Sequence, residues 1–494
     1  MGIYAGIDVG TQSTKVLVYD SQEQCVLACT SSRYPVISHD DGQREQKAIW
    51  YTDAITNCFH AIDGAIRRRI VAIGVSGQMH GLVPLDEKGN VLGLVRIWCD
   101  TSTLQENETL TAKLGGTQRM VALVGGELQT AYTAGKILAL RGRHPELYQR
   151  MRHVLLVHNY INYWLTGSLT MECGDASGTG FFDIRNRLWS EEVLKMLDSD
   201  LDWSTILPPV VQSDVSIGRL RAEIASLLGL SCHVLVSTGG GDNMMAAIGT
   251  GCVQNGRMTM SLGTSGTLFL SSDYPVTDPQ NRICPFCSST NGWLPLFTTQ
   301  NCTNVIEHVR ILLGLSIEEM NELAAQEPIG SRGVVFLPYF NGERTPFLPH
   351  GKVVVGGMTS GNMGKGPIAR AAIESVVLGM IYGCEAFKSL GIFGNHLALT
   401  GGGAKSALWR QMVSDILGLS VDVPMIDQSA AFGGVLQAMW MSGKHGSSIE
   451  AICQDHIQWD SSKHCEPNAD ASKAYLEAYR QFLQYQRSLM PLFQ

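Results

Sequence analysis

The sequence predicts an α/β fold built as two related lobes, and three observations carry that reading. Short apolar runs with strand character alternate with longer helical patterns along the chain. Four of those runs end in a glycine turn: DVGTQST (8–14), STGGGDN (237–243), SLGTSGT (261–267) and LTGGGAKS (399–406). Two of the four, DVGTQSTKVLV at 8–18 and SLGTSGTLFL at 261–270, set Gly-Thr between two strands, an internal pseudo-repeat. Each lobe should therefore open on a hairpin, with lobe 1 over 1–245 and lobe 2 over 246–494.

Taken in order, IYAGIDVG, TKVLVYD and CVLACTSSRYPV read as a strand meander, with Asp20, Ser21 and the polar residues after them as a turn. KAIWYTDAITNCFHAIDGAI (47–66) has helical period, and IVAIGV (70–75) is the next strand, emptying into SGQMHG (76–81). LLVHNYINYWLTG (155–167) reads as a helix stopped by glycine, and DASGTGFFDIRNRLWS (175–190) as short strands and a turn. HVLVSTGGGDNMMAAIGTG gives strand, turn and helix; RMTMSLGTSGTLFLSS gives strand, turn and strand. The second lobe continues through VVFLPYFNGERTPF, a helix around 368–387, and HLALTGGGAKSALWRQMVSDILG as strand, turn and helix. A helix at 429–443 and a polar C-terminal helix complete the chain.

Composition narrows the class. Charged residues are 17% and hydrophobic ones 45%, with 53 glycines, as in a compact globular enzyme. A net charge of −8 with no basic stripe argues against a nucleic-acid partner. Asp8 interrupts the N-terminal apolar run, and no apolar stretch approaches a membrane span of about 18 residues, so a cytoplasmic protein with no membrane partner is expected. Thirteen scattered cysteines do not form a secreted disulfide framework. The CPFC pair, Cys284 and Cys287, has no second pair to complete a zinc site and reads as a turn of reduced thiols.

Glycine after a strand lets backbone N–H groups approach an anion, and neighbouring Thr and Ser hydroxyls add donors; a tight turn also needs glycine for steric reasons alone. Four such turns in one chain favour phosphate. None matches GxxxxGK[ST] or GxGxxG, so the nucleotide fold is neither a P-loop nor a Rossmann site. Asp8 ends the first strand and could orient Mg²⁺ through water, with a plain turn residue as the alternative. Asp242 follows three glycines at a helix start and could serve as N-cap, as general base, or as both. His80 and Met79, taken singly, fit a structural histidine and a core methionine as well as ligands.

GIDVGTQSTK, Glu45-Gln46 with Trp50, SGQMHG, GGGDN, SLGTSG, LPYFNGERTP and TGGGAKSALWRQ together resemble the FGGY carbohydrate kinases, in the family's order from residue 3 to about 440. The resemblance implies an actin-like, ribonuclease H-like fold of the hexokinase and heat-shock-chaperone superfamily, with sugar and ATP meeting in a cleft between the lobes. It carries Thr11, Gln12 and Ser13 to the first phosphate loop, Gly263 and Thr264 to the second, and Gly402, Gly403 and Ala404 to the loop against adenosine. Asp8 matches the aspartate near the metal, and Asp242 the catalytic base. Asn243, Met79 and His80 match the residues that contact the sugar. The implied reaction is transfer of the ATP γ-phosphoryl group to the 5-hydroxyl of D-xylulose with Mg²⁺ present, in a protein for which a homodimer is consistent. The readings set against it are a kinase for ribulose, ribitol or gluconate, and a non-kinase actin-like ATPase. Three places depart from the family's pattern: WCDTS stands at 98–102 where an arginine is common, Ala139 stands three residues after Lys136 where Trp is expected, and Ala407 stands in the adenosine loop where some members have Asn.

Overall fold

The computed structural model describes residues 2–443 and 448–493. Its first sheet opens on β1 (Ile3–Val9), β2 (Ser13–Asp20) and β3 (Cys25–Arg33), an antiparallel meander in which Ile7 lies opposite Val16 and Leu17 opposite Cys29. Helix α1 (Ala48–His60) returns the chain to β4 (Ile70–Gly77), which runs parallel to β1. After α2 (Thr133–Arg143) and α3 (Val157–Thr166), the strands β5 (Ser216–Arg219), β6 (Leu235–Ser237) and β7 (Gly240–Gly241) complete the sheet. Its order is β5-β6-β4-β1-β2-β3, with β7 also paired to β4. Gly167 ends α3 in the left-handed conformation, φ 81°, as expected of a glycine stop.

The second sheet repeats the plan. β8 (Arg257–Leu262), β9 (Gly266–Leu270) and β10 (Leu296–Thr299) form a meander, and β11 (His396–Thr400) and β12 (Val421–Asp422) add in parallel beyond β8, in the order β10-β9-β8-β11-β12. The pseudo-repeat of Gly-Thr turns is thus a repeat of topology.

Two expectations are corrected. Residues 175–190 open on a helical turn, α4 (Cys173–Ala176), and a 3₁₀ turn at Ser177–Thr179 before the short strands Phe182–Asp183 and Leu188–Trp189 appear. The cause is Glu172, whose carboxylate accepts the N–H groups of Gly174 at 2.8 Å and Asp175 at 2.6 Å and so caps the turn. Helices α5 (Asp242–Gly249) and α6 (Thr303–Leu313) precede α7 (Lys365–Ser389), which by length and composition could cross a membrane, contrary to the expectation of no such stretch. Most of α7 is buried: Ala369, Ile373, Val376, Met380 and Phe387 pack into the core of the second sheet, so it is a central core helix.

The strands of each sheet lie wholly on one side of the 245/246 division, but the helices do not. α8 (Ala407–Leu417) covers the second sheet, whereas α9 (Ser429–Met441) and α10 (Ile449–His456) return to the first, and α11 (Ala469–Leu489) packs again on the second. β1 alternates accordingly. Ile3, Ala5, Ile7 and Val9 face the cluster built with α1 and α3, and Tyr4 faces α9 and α10. The approach of α9 is close because glycine lines it. A Cβ on Gly6 would collide with the carbonyl of Ala431, one on Gly74 with that of Gly434, and one on Gly433 with that of Met245 in α5. Around this seam Phe432, Val435 and Leu436 are buried, at about 1.5–3 kcal/mol of stabilisation each.

Candidate active site

Three neighbouring parallel strands deliver the acidic and sugar-facing candidates to one edge. Asp8 of β1 pairs in register with Ser76 of β4, and Ser76 with Gly240 of β7; one step on, Val9, Gly77 and Gly241 align. The first glycine turn, the QMHG segment and Asp242 therefore all leave the sheet at the carboxyl ends of adjacent strands.

Asp8 accepts the Ser76 hydroxyl at 2.9 Å and stands opposite Lys15. Burial raises its carboxyl above the ordinary value, opposed by that hydrogen bond and by the Lys15 charge. Beyond it, Thr11 and Ser13 are half-buried and Gln12 is exposed. The loop is held from below: the Gln46 amide donates to the Thr11 carbonyl at 2.7 Å, and Tyr34 donates its hydroxyl to the Gly10 carbonyl at 2.6 Å. From the other side the Trp98 indole donates to the Thr11 hydroxyl at 2.8 Å. Gln46 in turn accepts from Gln78 and from Tyr51, each at 2.8 Å, so one buried amide ties the first loop to the QMHG segment.

His80 carries a positive φ of 65°, uncommon outside glycine. Its Nδ1–H donates to the Gly178 carbonyl at 3.1 Å, which leaves Nε2 as an acceptor. The ring lies 4.9 Å from that of Tyr132 and 5.9 Å from that of Phe286, centroid to centroid. Burial, with the charges of Lys136 and Arg344, drives His80 down to about 3, so the imidazole is neutral at physiological pH. Met79 is 3% exposed and forms a buried wall; its sulfur accepts weakly from the Asn243 amide at 3.6 Å.

Asp242 is the first residue of α5 and Gly241 is the N-cap, which corrects the N-cap expectation: the glycine run puts the extended residue one position earlier. The carboxylate accepts its neighbour Asn243's N–H at 2.8 Å. Burial pushes Asp242 up to about 7, and the charges of Asp8 and Asp175 add to the effect. Asp175 is itself fully buried and paired with His158 at 2.5 Å.

On the second sheet, Gly263 is half-buried and Thr264 exposed between β8 and β9. The Gly263 carbonyl accepts from both the N–H and the hydroxyl of Thr303, at 3.0 and 2.7 Å, anchoring the loop to α6. In the third loop the structure separates the three candidates. Gly402 is exposed, but Gly403 is packed against Leu262 and Trp409, and Ala404 is 4% exposed in the core. The Ala404 side chain therefore faces the core.

Cys284 and Cys287 are reduced but do not act together. Cys284 accepts from Gln129 at 3.2 Å, whereas Cys287 packs with Cys173. At WCDTS, Asp100 accepts from Ser102 and from the Arg44 N–H, and the Arg143 guanidinium donates to the Ser102 carbonyl at 2.7 Å. An arginine reaches the segment from α2 where none stands in the sequence.

Sequence reasoning missed Gln46 and Gln78 as loop supports, Lys136, whose ammonium donates to the His80 carbonyl, the Asp175–His158 pair, and Gln437, whose buried amide bonds the N–H and carbonyl of Gly239. A signal existed for two of them: Lys136 in TAGKILAL and Gln437 in FGGVLQAMWM are single polar residues within apolar helical stripes.

Comparison with known proteins adds a family. Residues 3–249 match the N-terminal domain of the FGGY family of carbohydrate kinases and residues 258–442 its C-terminal domain. The chain is 40% identical over 491 residues to a xylulose kinase of Haemophilus influenzae, covering 97% of this chain and 99% of that one. It is 30% identical over 500 residues to a xylulose kinase of Escherichia coli, covering 99% and 100%. A crystal structure of a xyloylose kinase from Brucella ovis superposes with a TM-score of 0.92 at 28% identity, over 99% of this chain and 100% of that one.

Proposed function

The chain belongs to the FGGY family of carbohydrate kinases, and from that premise we propose that it transfers the γ-phosphoryl group of ATP to the 5-hydroxyl of D-xylulose, giving D-xylulose 5-phosphate and ADP. The observation that carries the site assignment is the register of β1, β4 and β7, which brings Asp8, the Met79–His80 pair and Asp242–Asn243 off one sheet edge. A ketose there meets a neutral acceptor in His80, an apolar wall in Met79 and an amide in Asn243. Asp242 takes the proton of the attacking hydroxyl; that oxygen bonds to the γ-phosphorus as the bond to the β-phosphate oxygen breaks and ADP leaves. A carboxylate held near 7 is matched to that task, since about half of it is free to accept a proton at neutral pH and it is basic enough to hold the proton it takes.

Thr11, Gln12 and Ser13 on lobe 1, and Gly263 and Thr264 on lobe 2, are the proposed donors to the ATP phosphates, with Gly402 at the nucleoside end. Asp8 suits a Mg²⁺ ion held through water. A single carboxylate is a hard oxygen donor of the kind Mg²⁺ takes, and no cluster of three or more His, Cys, Asp or Glu ligands occurs among the described residues. When bound it would supply charge neutralisation on the transferring phosphoryl group. The Arg344 charge, which depresses His80 from the second lobe, supports a sugar pocket bounded by both lobes.

The test is ADP release in a coupled assay with D-xylulose, ribulose, ribitol and gluconate. D-xylulose should lead by at least an order of magnitude in kcat/KM. Preference for gluconate or ribulose would overturn the substrate, and ADP release independent of any sugar would overturn the kinase reading of the site.

A further inference from the structure

We propose that Gln437 is a positioning residue for the reaction: a side-chain amide that pins the bulged turn carrying Asp242 and acts through the backbone of Gly239, without touching sugar or ATP. This rests on the reading of Asp242 as the base.

The ladder beside β4 is broken at one place. β6 pairs with it up to Val236 opposite Ile73, and pairing resumes in β7 with Gly240 opposite Ser76. Three residues, Ser237, Thr238 and Gly239, therefore lie across from two, Gly74 and Val75, so one extra residue is bulged out. Gly239 absorbs the bulge with φ 67°, and a Cβ there would collide with the Val75 carbonyl. Its peptide groups are buried where the strand ladder does not serve them.

Gln437, from α9, serves them instead. Its Oε1 accepts the Gly239 N–H at 2.8 Å and the Ser237 hydroxyl at 2.8 Å. Its Nε2 donates to the Gly239 carbonyl at 3.0 Å and to the Ser289 carbonyl at 3.3 Å. An amide has two acceptor sites and two donors, and all four are used. The residue is fully buried, with 0% exposure, so no water competes for these bonds. Gln437 behaves as a stray peptide unit inserted in the ladder at its gap. Ser289 extends the link, since its hydroxyl donates to Glu172 at 3.0 Å, the carboxylate that caps the turn bearing Asp175.

The consequence for chemistry is directional. Asp242 stands three residues beyond Gly239, and the position of a bulge decides which way the residues after it point. Gln437 holds both polar groups of the bulged residue, so the bulge cannot migrate along β4 and the start of α5 cannot rotate. Misplacing a base by about 1 Å costs on the order of 10²-fold in rate.

The test uses the full-length enzyme. Gln437→Met keeps the length and unbranched shape of the side chain but removes the amide and its four hydrogen bonds; kcat should fall about 10- to 100-fold while KM for sugar and for ATP stays within about twofold. Ser237→Ala removes one bond of the four and should lower kcat in the same sense by less. A folded Gln437→Met enzyme with unchanged kcat, or one whose loss lies in KM, overturns the proposal. If Gln437→Met does not fold, Ser237→Ala decides: unchanged kcat overturns the proposal and a selective drop sustains it. Asp242→Asn is measured alongside. If it retains turnover, the reading of the base has failed; if it is inactive while Gln437→Met is normal, only the positioning role has failed.

Discussion

The Nζ of Lys136 donates to the backbone carbonyl of His80 at 2.8 Å and also to that of Ala131. Lys136 has no exposed surface. A lysine so placed is costly to bury, and what it holds is the one peptide of the QMHG segment in the left-handed region. Lys136→Met should therefore loosen His80: KM for the sugar rises about tenfold or more while KM for ATP is little changed. Steady-state kinetics with each substrate varied in turn checks it, and a parallel loss of both affinities would mean that Lys136 supports the fold and not the sugar.

The same residue couples stability to pH. Burial lowers the Lys136 ammonium to about 7 from its ordinary 10.5, with the Asp100 charge opposing the shift. Between those values the unfolded chain holds a proton that the folded chain has lost, so stability rises with pH, by up to about 1.4 kcal/mol per pH unit. Below about 7 both states are protonated and the contribution is flat. Urea unfolding of wild type against Lys136→Met, from about pH 6 to about pH 9, should show wild type gaining on the variant only in the upper part of the range. A constant difference would contradict it.

Asp242, raised to about 7 by burial and by the charges of Asp8 and Asp175, must be deprotonated to act as a base. kcat/KM should then rise with pH and reach half its plateau near 7. His80, neutral down to about 3, adds no limb in that range. Lys136 titrates nearby, so the profile is measured in Lys136→Met as well, and the limb that persists belongs to Asp242. Asp242→Asn should lower kcat by about 10²–10⁴-fold without loss of cooperative unfolding.

Gln46 bonds Thr11, Pro35, Gln78 and Tyr51 through one buried amide. Gln46→Leu strands several of those groups without partners, at about 1–3 kcal/mol for each buried polar group left unpaired. We expect the denaturation midpoint to fall and KM for ATP to rise more than KM for sugar, because the freed strand end is the turn whose Thr11, Gln12 and Ser13 are proposed as donors to the ATP phosphates. Isothermal titration with a non-hydrolysable ATP analogue reads the binding part directly.

The fold was legible where its signals are local. Strand alternation, the helix stop at Gly167 and the doubled Gly-Thr hairpin are written in contiguous residues, and the structure follows each. So too the acidic pair: Asp8 and Asp242 stand beside glycine turns, and strand register brings them to one edge. What escaped depends on partners distant in the chain. Gln437 meets Gly239 across 198 residues and Gln46 meets Gln78 across 32, and a polar side chain in an apolar stripe does not state what it will find. The third loop is a related case. A glycine turn reads alike on its open side and on its packed side, and only the packing of Gly403 against Leu262 and Trp409 tells it from the exposed Gly402.

The return of α9 to the first sheet has a consequence for how the protein is made. Synthesis runs from the N-terminus, and the first sheet has all its strands once Gly241 has emerged. One of its faces, with Tyr4, Leu17, Tyr19 and Ala72, is not covered by α9 and α10 until the whole second sheet has been made. The nascent chain must carry that open apolar face through the translation of its other half. The first lobe can reach its native packing only after, and not before, the second has been threaded into place beside it.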